Sequence, residues 1–134
     1  MQILGTGIDI VENFRIKKLL RNKKFISRIF TSNEILQSRK CTNKTNFYSK
    51  RFAAKEAFAK SIGTGFVNDL NFKDIIVVNN NMGKPSFKIT DKLKKIIKKQ
   101  FKTSSFNLFL SMSDEKKYSV AFVILQKKKW LIKD

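Results

Sequence analysis

Residues 2–10 are largely apolar and predict a strand, with small residues at Gly5 and Gly7. Val11, Phe14, Ile16, Leu19 and Leu20 then fall at helical spacing and predict a short helix over 12–20. Phe25, Ile26, Ile29 and Phe30 repeat that spacing and suggest a second helix. Thr31-Ser32-Asn33-Glu34 has the form of a capping box, with Thr31 as cap and Glu34 reaching back, ahead of a helix over about 32–40. The longest helical pattern runs from about Asn43 to Ile62. Phe47, Ala54 and Phe58 gather on one side of it, and Glu56 falls nearly opposite, one turn from Phe52 and from Lys60. Gly63 supplies its C-terminal stop.

The second half reads differently. Residues 72–79 and 85–90 predict two strands, joined by a turn at Asn80-Asn81-Met82-Gly83-Lys84. Leu93, Ile96, Ile97 and Phe101 mark an amphipathic helix over 91–101 with a lysine-covered outer face. Strands over 106–112 and 118–125 follow, with Asp114-Glu115-Lys116-Lys117 turning between them. The order is roughly β-α-α-α-β-β-α-β-β, an α+β class with a mainly antiparallel sheet packed against a long helix. A length of 134 residues, no repeat and no Pro/Gly/Ser linker argue for one domain over 1–126. The segment 127–134, KKKWLIKD, reads as a basic C-terminal tail.

Composition narrows the chemistry. At 42% hydrophobic residues the chain is too apolar to be disordered. No apolar run approaches the ~18 residues of a membrane span, and MQILGTGIDIVEN lacks the basic start of a signal peptide. A cytoplasmic protein without membrane contact is expected. The single cysteine, Cys41, excludes an intramolecular disulfide and a Cys-rich zinc site, and reads as a tolerated thiol beside Arg39, Lys40 and Lys44. There is no histidine, which removes Ser-His and Cys-His nucleophile chemistry and every histidine metal site. A metal here must take oxygen ligands, which points to Mg²⁺ or Mn²⁺. The net charge of +19 attracts polyanions: nucleic acid, an acidic protein or a phosphate-rich ligand. A chain rich in Lys, Asn, Ile and Phe can also carry such charge through compositional bias alone.

Several residues could carry chemistry, each with a plainer reading beside it. Asp9 closes an apolar strand, where an aspartate serves a site or simply caps a turn. Glu56 lies among cations and aromatics in Arg51-Phe52-Ala53-Ala54-Lys55-Glu56-Ala57-Phe58, and is otherwise an exposed helical glutamate paired with Lys60. Together the two carboxylates could bind a hard cation completed by waters and a substrate phosphate. Lys60, Gly63, Thr64 and Gly65 form a cation-plus-glycine segment able to meet phosphates, or a helix stop. Gly83-Lys84-Pro85 is a turn from which Lys84 could reach an anion. Ser111 and Ser113 have no histidine to activate them and read as a hairpin corner.

In this order the pieces resemble the holo-acyl-carrier-protein synthase family of 4′-phosphopantetheinyl transferases over about residues 2–125. The resemblance is carried by Gly7-Ile8-Asp9-Ile10-Val11-Glu12, Arg15-Ile16, Phe30-Thr31 with Glu34, and the stretch from Arg51 to Lys60. It continues through Gly63-Thr64-Gly65, Gly83-Lys84-Pro85, Ser111, Asp114-Glu115 and Tyr118. It implies an α+β homotrimer with active sites between subunits, moving phosphopantetheine from coenzyme A to a serine of an apo-acyl carrier protein and releasing 3′,5′-ADP. It implies Mg²⁺ on Asp9 and Glu56, with Glu56 as base or as ligand only, and coenzyme A phosphates against Lys60, Gly63, Thr64, Gly65 and Lys84. Arg15 matches a position used against the acidic carrier, and Arg21 lies with Lys17 and Lys18 on the same helix, a cationic set expected to steer the carrier. Two alternatives stand beside it: a basic nucleic-acid-binding protein without enzymatic activity, and a degenerate synthase kept as a structural protein. One departure is Phe109, where many members carry histidine; at Asp114 the chain follows the branches with Asp-Glu.

Overall fold

The computed structural model describes residues 2–66 and 69–128. The chain begins with β1 (Gln2–Glu12) and passes through four helices, α1 (Asn13–Leu19), α2 (Lys23–Ile29), α3 (Ser32–Ser38) and α4 (Lys44–Ser61). A hairpin of β2 (Val77–Asn79) and β3 (Pro85–Phe87), helix α5 (Asp91–Phe101), and strands β4 (Phe106–Asp114) and β5 (Tyr118–Lys127) complete it. The α+β class stands, and the four helices expected one by one before the second strand all form, one more than the rough order β-α-α-α-β-β-α-β-β counts. Each of α1 to α3 spans seven residues, under two full turns. Thr31 and Glu34 form the predicted capping box at the start of α3.

The expected strand over 72–79 is shorter than its apolar run. Phe72–Asp74 is a helical turn, and only Val77–Asn79 is strand. Asp74 causes the difference: its carboxylate accepts the Asn71 N–H at 2.8 Å, closing a turn where a ladder would have begun. The tail boundary falls at the last described residues. Lys127 still pairs with Gln2 and with Phe106, and 129–134 lie outside the described residues.

Two antiparallel sheets form, one of order β1-β5-β4 and one of β2-β3. The first and last strands are thus neighbours, and α4 crosses the face that they share. Alternation along β1 turns Gly5, Gly7, Asp9 and Val11 toward α4. A Cβ added at Gly5 or Gly7 would collide with the carbonyl oxygens of Ser61 and Ala57, so the two glycines let strand and helix backbones touch. Ala53, Ala54, Ala57 and Ala59 are buried with no more than 1% exposure, keeping the helix side of that contact equally slim.

The sequence stripe predicts one buried face for α4, yet the helix is enclosed on nearly every side. Arg51 and Lys55 are buried along with Phe47, Phe52 and Phe58. Lys55 is accommodated because each donor of its ammonium is used: Glu34 Oε1 at 2.7 Å, the Ile29 carbonyl at 2.9 Å and the Phe72 carbonyl at 3.1 Å. Glu34 in turn accepts the Thr31 and Val77 N–H groups. One ion pair therefore joins α2, α3, α4, the 72–74 turn and β2.

Candidate active site

The close approach of β1 to α4 decides where Asp9 goes. Two residues beyond Gly7, it leaves the strand on the helix side, opposite the small, buried Ala121 of β5. Its Oδ1 accepts from Lys60 Nζ at 3.1 Å, and Lys60 also donates to the Ile8 carbonyl at 2.9 Å. The plainer reading of an exposed Glu56–Lys60 pair is therefore not what forms: Lys60 turns to the strand. Its side chain remains about half exposed, at 52%, against 14% for that of Asp9.

Asp9 Oδ2 is buried and has no hydrogen-bond partner. An orphaned carboxylate oxygen is costly without a ligand. Burial raises the Asp9 pKa, against the lowering pull of Lys60 and Arg15. Glu56, half-buried one turn before Lys60, also has its pKa raised, first by burial and then by the negative charge of Asp9, with Lys60 and Arg15 opposing. The two carboxylates are near enough to repel each other within a single chain, and two cations offset them. Burial raises both carboxylates, and the charge of Asp9 raises Glu56 further, an arrangement able to take up a cation or a proton.

The other expected residues fall in three places. Lys60 stands within the group. Gly63 and Gly65 follow α4 with φ of 81° and 64°, left-handed values that suit glycine, and the half-buried Thr64 lies between them. Lys84 is exposed in the β2–β3 turn, its N–H bound to Asn80 Oδ1, and it makes no ion pair among the described residues. Arg15 and Arg21 are exposed at the two ends of the α1 segment, and only Arg15 has its charge felt at both carboxylates.

Sequence reasoning missed two buried cations. Lys55 reads in the sequence only as a charged neighbour of Glu56. Arg51 sits with its guanidinium 3.7 Å from the Phe47 ring centroid, donates to Asn79 Oδ1 at 3.0 Å, and leaves Nε buried without an acceptor. Neither could be found from periodicity, which reads polar residues on a helix as exposed. No cluster of three or more His, Cys, Asp or Glu able to hold a metal occurs among the described residues. Any cation at Asp9 and Glu56 would have to complete its shell with water or substrate oxygens.

Known proteins resolve the class. The 4′-phosphopantetheinyl transferase superfamily matches residues 5–123, nearly the whole chain. The holo-[acyl-carrier-protein] synthase of Pelagibacter ubique is 70% identical over 128 residues, covering 96% of this chain and all of that protein. Among solved structures, the holo-[acyl-carrier-protein] synthase of Neisseria meningitidis superposes with a TM-score of 0.84 at 38% identity, covering 94% of this chain and 100% of that one. The corresponding synthase of Bacillus anthracis, solved in complex with coenzyme A (3′,5′-ADP), gives 0.79 at 36% identity, covering 96% and 100%. The chain belongs to the 4′-phosphopantetheinyl transferase superfamily, and it is an enzyme of that reaction class. The branch it matches along its length is that of the holo-[acyl-carrier-protein] synthases. A basic nucleic-acid-binding protein without activity gains no support from any of these matches.

Proposed function

We propose that the chain moves the 4′-phosphopantetheine group from coenzyme A to a serine of an apo-acyl carrier protein, releasing 3′,5′-ADP, in the cytoplasm and for fatty acid biosynthesis. The observation that carries the site assignment is the convergence of Asp9, Glu56 and Lys60, with Asp9 Oδ2 buried and unpartnered. Oxygen donors numbering only two carboxylates suit Mg²⁺, which binds through one or two of them and keeps room for water and phosphate. Asp9 and Glu56 would hold that ion, which when bound supplies positive charge against the diphosphate.

The chain's own residues do the rest. Lys60 fixes Asp9 on one side while half of its side chain stays open to a phosphate oxygen. Gly63 and Gly65, whose N–H groups donate to the Lys60 and Ala59 carbonyls, shape a turn on a backbone that glycine adopts easily, so that Thr64 between them can present its N–H and hydroxyl to the phosphates, and Lys84 adds a further cation. The serine Oγ forms the new bond to phosphorus as the bond to the 3′,5′-ADP oxygen breaks. Glu56 takes the serine proton; its raised proton affinity suits a base better than an ordinary glutamate would. The reading in which Glu56 is a ligand only differs in where that proton goes. Arg15, on the exposed side of α1, and Arg21, in the turn that follows the helix rather than on it, attract the acidic carrier.

A homotrimer with sites between subunits is supported by the face of the large sheet turned away from α4. Cross-strand register puts Ile8 beside Phe122, Ile10 beside Val120, and Phe109 beside Ile124. Ile8, Ile10, Phe109 and Phe122 are 41% to 64% exposed, an apolar surface that a lone subunit would leave in water. Phe109, where histidine was the family expectation, extends this surface.

The test is direct. Protein, apo-carrier, coenzyme A and Mg²⁺ are mixed and the carrier is weighed by mass spectrometry. The expected result is a gain of one phosphopantetheine that disappears with EDTA. An unmodified carrier, or a gain indifferent to EDTA, would overturn the function or the metal respectively.

A further inference from the structure

The corner between β4 and β5 is held from beneath by two buried asparagines. Asn13, the first residue of α1, donates its Nδ2 to the Glu115 carbonyl at 2.9 Å and to the Lys116 carbonyl at 3.2 Å. Its backbone N–H reaches the Lys117 carbonyl at 2.8 Å, and its Oδ1 accepts from the Ser119 hydroxyl at 2.7 Å. Asn46, in the first turn of α4, donates to the same Glu115 carbonyl at 3.2 Å and to Asp114 Oδ2 at 2.8 Å. Lys50 closes the group with an ion pair to Asp114 at 3.2 Å. Both lone pairs of one corner carbonyl thus tie the start of α1 to the start of α4.

Helix α1 needs such a hold. It has seven residues, and its N-cap, Glu12, makes no capping hydrogen bond through its side chain. A helix that short has little stability of its own. Its first turn is fixed instead by Asn13, whose side chain points into the protein at 4% exposure, next to Ser119 at 0%. Two residues on, in the same turn, stands Arg15, exposed and without an ion pair of its own among the described residues.

We propose that Asn13 is a positioning residue for Arg15: by locking the β1–α1 corner onto the β4–β5 turn, it holds the guanidinium where the carrier and the Asp9–Glu56 pair meet. The inference rests on the reading of Arg15 given above. It goes beyond that reading in assigning a role to a buried, uncharged residue that touches neither substrate. Ser119 shares the role by donating its hydroxyl to Asn13 Oδ1.

A double-mutant cycle separates positioning from plain stability. Wild type, Asn13→Ala, Arg15→Ala and the double variant are compared by kcat/KM for apo-carrier at saturating coenzyme A and Mg²⁺. Arg15→Ala is expected to lower that ratio about ten-fold, the scale of one lost charged contact. Asn13→Ala should lower it by about three- to ten-fold with KM for coenzyme A unchanged, and the double variant should be no worse than Arg15→Ala. If the two losses multiply, Asn13 acts through the fold at large and the inference fails while the Arg15 reading survives. If Arg15→Ala has no effect, the Arg15 reading itself fails and takes the inference with it. Should Asn13→Ala not fold, Ser119→Ala carries the same cycle. A smaller loss that vanishes in the Arg15→Ala background supports the proposal, and a loss that persists there overturns it.

Discussion

At the scale of single residues, the site is a place where the fold accepts a cost. Asp9 and Glu56 both bind protons more tightly in the folded chain than their ordinary values of 3.8 and 4.5 allow. Their ionised forms therefore weaken the fold: the penalty sets in as pH rises through the unfolded values toward the raised folded ones, and stays in full above them. Asp9→Asn and Glu56→Gln remove that penalty. Each should melt at or above the wild-type temperature at pH 7 without metal, while carrier modification falls by at least about 100-fold. Calorimetry beside the mass-spectrometric assay checks both halves, and a clear drop in melting temperature would show that the carboxylates hold the fold together instead. The same raised values fix the pH profile. The acid limb of kcat/KM for the free enzyme should lie above 4.5, because Glu56 must be ionised either as base or as ligand. Rates measured across the acid range test this, and a limb in the ordinary glutamate range would remove Glu56 from the essential groups.

At the scale of elements, the long helix is held by two unlike devices, the bare backbone contact with Gly5 and Gly7 and the Lys55–Glu34 pair. The pair lies at 0% and 1% side-chain exposure, so removing only its cation strands a buried carboxylate. Lys55→Met should cost about 3–5 kcal/mol in urea unfolding, whereas Lys55→Met with Glu34→Gln should recover most of that loss, since no net charge is then left buried. Equal losses in the two variants would mean that hydrogen bonding by Glu34, not charge, dominates. Neither device was equally legible in the sequence. The capping role of Glu34 was, because four consecutive residues encode it locally. Its second role was not, because Lys55 lies 21 residues away and a lysine on a helix reads as solvent-facing. The run Ile75-Ile76-Val77-Val78 overstated a strand for a related reason: apolar β-branched residues advertise extended structure, while the single carboxylate of Asp74 that closes the preceding turn carries no periodic signal. Asp9 and Glu56 were legible as a candidate pair of oxygen ligands in a chain with few acids, and the ordered motifs around them made that pair specific. Spacing alone could not say that two glycines bring their backbones into contact.

At the scale of the whole molecule, the sheet poses a problem that one subunit does not solve. Its inner face is sealed by α4, but its outer face carries Ile8, Ile10, Phe109 and Phe122 with 59%, 64%, 49% and 41% of their surfaces open. Ile8 and Phe122 are directly paired, while Ile10 and Phe109 lie one same-face step to either side of that pair, opposite Val120 and Ile124, so the exposed areas of the three strands adjoin. A strand pattern with apolar residues on both faces is that of a sheet buried on both, and α4 accounts for only one. In a trimer built on this face, Ile10→Glu would place three carboxylates against apolar partners at the interface, a burial of unpaired charge that association cannot offset. In the isolated subunit the same substitution changes a position already facing water and should leave folding stability within about 0.5 kcal/mol. The expected outcome is therefore selective: sedimentation velocity should find a folded monomer in place of the proposed trimer, with unchanged helical content by circular dichroism. Transfer should be lost although Asp9, Glu56 and Lys60 keep their intrachain geometry, because sites shared between subunits would lack one wall. A variant that remains trimeric would move the interface elsewhere on the surface, and a monomer with full activity would show that one chain holds the complete site.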